Sequence, residues 1–192
     1  MKRVIVTIGA AMLAAGATVH LAGAAYAQPE PAAPRTADVG YVPTPYDVVD
    51  SMLALGAVNQ EDVLYDLGSG DGRLPITAAR RFRMKKAVGI DVDAARVAEA
   101  QANAKIGGVA DKVSFRHEDL LKADFSEATV VTLNQLDSIG EKLRPRLLAQ
   151  LKPGTRIVSR VVRLGDWPPQ RSLEVDGGMI YFWTVPAPPP RK

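Results

Sequence analysis

The chain contains no cysteine in its 192 residues, which excludes disulfides, thiolate metal sites and a cysteine nucleophile. Histidine is nearly absent as well. His20 and His117 are the whole supply, so a histidine-based metal site or catalytic triad is disfavoured, and His117 beside Glu118 reads as structural. Neither sign of charge dominates. The 24 basic and 21 acidic residues become 22 and 21 once residues 1–27, which hold Lys2, Arg3 and no acid, are set aside. The sequence pI of about 9.2 therefore owes much to that segment and to Arg191-Lys192, and it is poor support for a nucleic-acid surface. The one dense basic run, Arg80-Arg81-Phe82-Arg83-Met84-Lys85-Lys86, reads as a solvated helix end whose cations oppose the negative pole of the helix dipole. A phosphate-binding patch is the alternative.

Lys2 and Arg3 precede an uncharged stretch from Val4 to Ala27, and Ala25-Tyr26-Ala27 before Gln28 has the small-x-small form of a signal-peptidase site. Cleavage after Ala27 is expected. An uncleaved anchor is the other reading, because 24 uncharged residues exceed the roughly 20 that span a membrane. The domain would then be exported, periplasmic or tethered to the inner membrane. Residues 28–39 are rich in Pro and Ala and read as an extended linker, as does the tail after Pro186. A single domain over 40–186 lies between them.

The most informative stretch is Val63-Leu-Tyr-Asp-Leu-Gly-Ser-Gly-Asp-Gly-Arg73, a buried strand that ends in an acid and three glycines before a helix. Gly68, Gly70 and Gly72 permit positive φ and leave room for the backbone to approach a ligand. Their G-x-G-x-G spacing differs from the G-x-G-x-x-G of dinucleotide sites. Asp66, two residues ahead of the first glycine, would repel a pyrophosphate but suits a ligand carrying an ammonium and a sulfonium. That describes S-adenosylmethionine. A bare turn is the bland alternative.

Short apolar runs alternate with longer amphipathic ones, the pattern of repeated βα units on a parallel sheet. Strands are expected near 62–66, 87–91, 113–116, 128–133 and 156–162, and helices near 46–56, 73–84, 94–106 and 141–151. Ile139, Leu143, Leu147 and Leu151 form a core-facing stripe. Pro145 lacks an amide hydrogen, so it sits in the first turn of that helix or the helix bends there. Beyond the fifth strand, Arg171–Val175, the turn Asp176-Gly177-Gly178 and the run Met179–Val185 signal a closing hairpin. The expected fold class is α/β, a Rossmann-like seven-strand, mostly parallel sheet that ends in an antiparallel pair.

From Tyr41 to about Pro186 the chain resembles the seven-strand protein-lysine methyltransferases related to the mitochondrial enzymes acting on ATP synthase subunit c and the adenine nucleotide translocase. It more distantly resembles the non-SET histone lysine methyltransferases. The matching pieces include Tyr41-Val-Pro-Thr-Pro45, Tyr65–Arg73, Gly89-Ile-Asp91, Glu118-Asp-Leu120, Ala128–Leu133, Leu143–Leu147, Lys152–Ser159 and Gly165-Asp-Trp167. The resemblance implies S-adenosylmethionine binding. By it, Asp66, Gly68, Ser69, Gly70 and Gly72 line the methionine end of the cofactor, and Asp91 receives the ribose hydroxyls, a role that donor–acceptor geometry at a strand end also supports. Helix capping is the alternative for Asp91. Asp119 would accept from the adenine amino group, with a turn or cap role open beside it. Thr44 would donate to the cofactor carboxylate, unless Pro43 and Pro45 merely stiffen the entry to the first helix.

At the fourth-strand end this chain has Asn134-Gln135-Leu136-Asp137, where the nearer relatives carry an aromatic and leucines followed by proline. An asparagine there is similar to the histone enzymes, in which it borders the methyl-transfer centre. Arg160 replaces a histidine, and Val161-Val162-Arg163 replaces an acidic, aromatic segment. A lysine nucleophile must lose its proton against a reference pKa of about 10.4, and burial in an apolar channel favours that loss. Tyr41, Tyr46 and Trp167 are the aromatic candidates for such a channel, with a packed corner as the other reading of Trp167. Asn134 would orient the amine through its amide oxygen. The function expected is methyl transfer to an amine, lysine in a protein, with membrane proteins among the candidate substrates and neither nucleic acid nor metal as partner. Three other readings stand beside it: a small-molecule methyltransferase, an exported degenerate cofactor-fold domain that binds without catalysis, and a dehydrogenase, against which the glycine spacing and Asp66 count. Export also raises a supply problem, because the cofactor is made in the cytosol.

Overall fold

The apolar runs between residues 43 and 188 fold as the elements their periodicity suggests, in a computed structural model that describes residues 43–134 and 139–188. Every described residue belongs to one compact unit, Val39–Lys192. The expected targeting segment, the linker, Tyr41, Gln135 to Asp137 and the last four residues lie outside the described residues.

Helix α1 (Tyr46–Leu55) starts behind Pro45 and buries Val48, Val49, Met52 and Leu53 on one face. Strand β1 (Val63–Leu67) then leads through the glycine loop into α2 (Arg73–Arg81). One more strand and helix pair follows the same plan, β2 (Lys86–Asp91) with α3 (Ala94–Ile106), and β3 (Val113–His117) comes next with no helix between it and the fourth strand. After β4 (Val130–Asn134) come α4 (Gly140–Gln150), β5 (Arg156–Arg160), β6 (Arg171–Val175) and β7 (Gly178–Thr184).

The seven strands lie in the order β3-β2-β1-β4-β5-β7-β6, parallel except for β7, which runs antiparallel to both β5 and β6. Side chains alternate between the faces of a strand, and the sheet is accordingly covered on both sides. One core cluster joins Leu64, Val130 and Val158 to Val48 and Met52 of α1 and to Leu74 and Ala100 of α2 and α3. The other joins Tyr65, Leu67, Val131 and Leu133 to Leu143 and Leu147 of α4. Asp66, Thr132 and Asn134 fall on the α1 face at the carboxyl ends of β1 and β4, with Asp66 opposite Thr132. Between β1 and β4 the strand order reverses, which is where open α/β sheets place their ligands.

Two local expectations change, and a third is decided between its readings. The hairpin turn is the two-residue Asp176-Gly177, both at positive φ (49° and 66°), and Gly178 already pairs with Val175, as a type I′ turn requires. Of the two readings of Pro145, the first turn is excluded, because it is the sixth residue of α4. β5 stops at Arg160 because Val161 turns to φ 69°, its N–H donating to Met179 O at 2.8 Å. The basic run ends α2 as a solvated segment: Arg81 pairs with Asp50, Lys85 with Glu61 at 3.5 Å and Lys86 with Glu127 at 2.7 Å.

Candidate active site

The end of β1 sets the site. Asp66 is 3% exposed, and its Oδ1 accepts from Thr132 Oγ1 at 2.6 Å. Burial pushes the Asp66 carboxyl up to about 7, the nearby Asp91 and Asp71 carboxylates add to the shift, and the Thr132 hydrogen bond opposes it. The loop that follows turns on Gly68, Gly70 and Gly72, at φ 81°, 54° and 80°. Gly68 and Ser69 donate to Ile90 O at 2.8 and 3.0 Å, which ties the loop to β2.

Gly72 departs from its expected role. A Cβ there would lie 2.5 Å from Phe115 Cζ and 2.9 Å from Ala100 Cβ, so the room it leaves is filled by the core and not kept for a ligand. Gly89 on β2 serves the same ring, with a would-be Cβ 2.4 Å from Phe115 Cδ1 and 2.7 Å from Ser69 Oγ. Phe115 thus wedges under the loop from β3. The alternating Val113-Ser114-Phe115 was the only sequence signal for that contact.

At the end of β2, Asp91 Oδ2 accepts from Gly70 N and Oδ1 from Asp93 N, both at 2.9 Å. The cap of α3 is Asp93, whose Oδ1 accepts from Ala95 N at 2.8 Å, so Asp91 is not the capping residue. Asp119 lies two residues beyond β3 and forms a turn, with its Oδ1 accepting from Leu121 N at 2.9 Å. His117 contacts Val92 O through Nε2 at 3.0 Å, a structural role.

Thr44, Asp66, Gly68, Ser69, Asp71, Arg73, Leu74 and Asn134 together line a small cavity at the β1/β4 reversal. Thr44 is buried, and its Oγ1 accepts from Asn134 Nδ2. Arg73 Nη1 donates to Thr44 O at 2.7 Å while Nη2 pairs with Asp71 Oδ2 at 2.6 Å. Two buried polar atoms of this lining have no hydrogen-bond partner, Ser69 Oγ and Asn134 Oδ1. Asp71 and Arg73, present in the motif but given no role from sequence, are therefore part of the site.

Two of the three aromatic candidates for a channel, Tyr46 and Trp167, are among the described residues, and both stand apart from the cavity. Tyr46 is 57% exposed, with the Arg73 guanidinium 5.4 Å from its ring centroid, and it lines a neighbouring depression with Asp71, Arg73, Ile76 and Arg80. Trp167 packs against Trp183, ring centroids 6.2 Å apart, and its carbonyl accepts from Trp183 Nε1 at 3.0 Å. That is a packed corner, because a buried indole N–H needs an acceptor. Neither ring lines the cavity.

The lining suits a cationic ligand that also brings donors and acceptors. Orphaned polar atoms in a buried wall cost free energy until a partner arrives, and Asp66 gains its charge most readily beside a cation. No group of histidine, cysteine, aspartate or glutamate among the described residues is arranged to hold a metal ion.

Comparison with known proteins gives this arrangement a family. The profile of the ANTKMT methyltransferase domain matches residues 66–171. A protein-lysine N-methyltransferase of Saccharolobus islandicus is 46% identical over 151 residues, covering 77% of this chain and 94% of that protein. The adenine nucleotide translocase lysine N-methyltransferase of Mus musculus is 29% identical over 136 residues, 71% of this chain and 58% of the relative. Among solved structures, an RNA methyltransferase from Salinibacter ruber in complex with S-adenosyl-L-homocysteine superposes with TM-score 0.75 at 52% identity, over 79% of this chain and 98% of that one. The glycine loop, the strand-end acids and the seven-strand order thus coincide with a matching profile and close relatives, and the chain belongs to the ANTKMT methyltransferase-domain family.

Proposed function

We propose that the protein transfers the methyl group of S-adenosylmethionine to the side-chain amine of lysine in a protein substrate. The observation that carries the choice of acceptor is the buried, unpartnered Oδ1 of Asn134 at the end of β4. A carboxamide oxygen accepts from an amine N–H and so aims the nitrogen lone pair. The balanced charge, and the ion pairs that engage Arg81, Lys85 and Lys86 of the basic run, speak against a nucleic-acid acceptor.

When bound, S-adenosylmethionine supplies an electrophilic methyl whose departure leaves a neutral thioether. In this reading Asp66 would answer its positive charge, Ser69 Oγ and the glycine loop would hold its methionine end, and Asp91 at the end of β2 would accept from its ribose hydroxyls. The residues have mainly to align the amine, since a reacting separation of about 3–3.5 Å held by the site supplies much of the rate. The amine arrives as an ammonium and gives a proton to solvent before attack, a loss that desolvation and a neighbouring cation both favour. Read as an uncleaved anchor, the uncharged stretch from Val4 to Ala27 would hold the domain beside substrates at or within a membrane.

The test uses cofactor labelled in its methyl group with separated membrane-protein, soluble-protein, RNA and small-molecule fractions. The expected outcome is label in protein, recovered as methyl-lysine after hydrolysis and concentrated in the membrane fraction. Label that nuclease removes, or label confined to small molecules, would overturn the lysine reading.

A further inference from the structure

We propose that Thr44 and Arg73 are positioning residues that latch the Asn134 carboxamide, holding its oxygen toward the acceptor amine. The inference rests on the lysine reading above and assigns the residues that orient its acceptor group. An asparagine amide has two chemically opposite ends. Which end meets the amine decides whether the contact attracts or repels, because an NH2 edge would oppose the amine's own N–H.

The structure holds one end fast. Asn134 Nδ2 donates to Thr44 Oγ1, which leaves Oδ1 as the buried atom without a partner. Thr44 precedes α1 and is 90 residues away in sequence, in a segment where Pro45 supplies no side-chain cap. Its anchor comes from α2. Arg73 Nη1 donates to Thr44 O at 2.7 Å, and the same guanidinium is braced on Asp71 by Nε–Oδ1 at 3.0 Å and Nη2–Oδ2 at 2.6 Å. A planar fork can make these contacts together, whereas a lysine ammonium is a point charge on a flexible stem. Asp71 O in turn accepts from Asn103 Nδ2 of α3 at 3.0 Å. The glycine loop that meets the cofactor and the carboxamide that meets the acceptor are thereby fixed to one guanidinium.

The full chain, labelled with 15N, is compared as wild type, Thr44→Val, Thr44→Ser and Asn134→Ala, the last to assign the Asn134 side-chain amide. Slow solvent exchange of that amide is expected in wild type and Thr44→Ser, and fast exchange in Thr44→Val, which keeps the shape and removes the acceptor. In turnover, Thr44→Val should lower kcat about tenfold or more while KM for S-adenosylmethionine moves less than about twofold, the split expected when alignment and not binding is lost. Thr44→Ser should recover activity to within about threefold, and in the Asn134→Ala background Thr44→Val should change kcat less than about twofold. An amide that exchanges as fast in wild type as in Thr44→Val overturns the latch. So does independent, multiplying loss in the double variant, or a KM that rises as far as kcat falls, which would place Thr44 on the cofactor carboxylate. Should wild type put no methyl on lysine, the functional reading fails while the exchange measurement still decides the latch.

Discussion

Asp66 shows how one buried atom sets a condition on the whole protein. Its folded pKa rises from 3.8 to about 7, first through desolvation and then through Asp91 and Asp71. Between those values the folded chain holds a proton that the unfolded chain has released, so stability falls as pH rises across that window. The contribution is complete below the unfolded value and gone above about 7. Asp124 and Glu127 are shifted the other way by their hydrogen bonds to Ser126 and Lys86, which confines their effect to lower pH. Urea midpoints of the ligand-free protein should therefore drop between pH 5 and 7.5, and Asp66→Asn should flatten the change. An unaltered slope in that variant would show that Asp66 does not titrate there. A cation bound beside Asp66 favours the carboxylate, so cofactor binding near pH 6 is expected to release a proton.

At the scale of the element, the helices and strands were legible because apolar periodicity decides them, and the hairpin because Asp176-Gly177 accepts two positive φ angles. The Asp66 and glycine-loop arrangement was legible for the same local reason, because strand, acid, loop and helix are contiguous, and Asp91 because it ends the next strand. What could not be read were roles fixed by a distant partner. Gly72 answers to Phe115, Trp167 to Trp183 and Tyr46 to Arg73, and no sequence spacing encodes those pairs. Arg156 is a further case. It looks like an ordinary strand residue, yet its Nη1 donates to Gly56 O and Ala57 O at 2.8 and 2.7 Å and its Nη2 pairs with Asp62. Helix α1 has no basic residue in its last turn, so β5 provides the cation that its carbonyl end favours, and Arg171 of β6 adds a bond to Leu55 O at 2.8 Å. Asp62 is 5% exposed, and a buried charge that loses its cation costs about 3–5 kcal/mol, which the hydrogen bonds that Asp62 keeps from Asn59 N and Thr129 Oγ1 hold to the lower end. Arg156→Met is expected to destabilise the domain by about 3 kcal/mol in urea unfolding, and Asp62→Asn in the same chain to restore part of it. A loss below about 0.5 kcal/mol would reduce the pair to the value of a surface contact.

Across the whole molecule, the cavity gathers segments that are far apart in the chain: the entry to α1 at Thr44, the β1 end from Asp66 to Arg73, and the β4 end at Asn134, with Asp91 of β2 bonded to the loop at Gly70. These are the two halves of the sheet on either side of its order reversal. A ligand held there touches both, so its binding free energy stabilises the domain against global unfolding and not one loop alone. Ligand at 100 times its Kd adds about 2.7 kcal/mol. For a domain of roughly 150 residues each kcal/mol raises Tm by about 2–4 °C. S-adenosyl-L-homocysteine in that excess should thus raise the melting temperature of the intact chain by about 5–10 °C as a single transition. Asp91→Ala should remove most of the shift, both by deleting the ribose acceptor and by freeing Gly70 N. Its own ligand-free Tm sets the baseline, so a weakened fold and a lost site are told apart. A correctly folded wild-type protein that melts at the same temperature with and without the ligand would mean that the strand ends at the reversal do not bind it, and the cofactor assignment for this chain would fall.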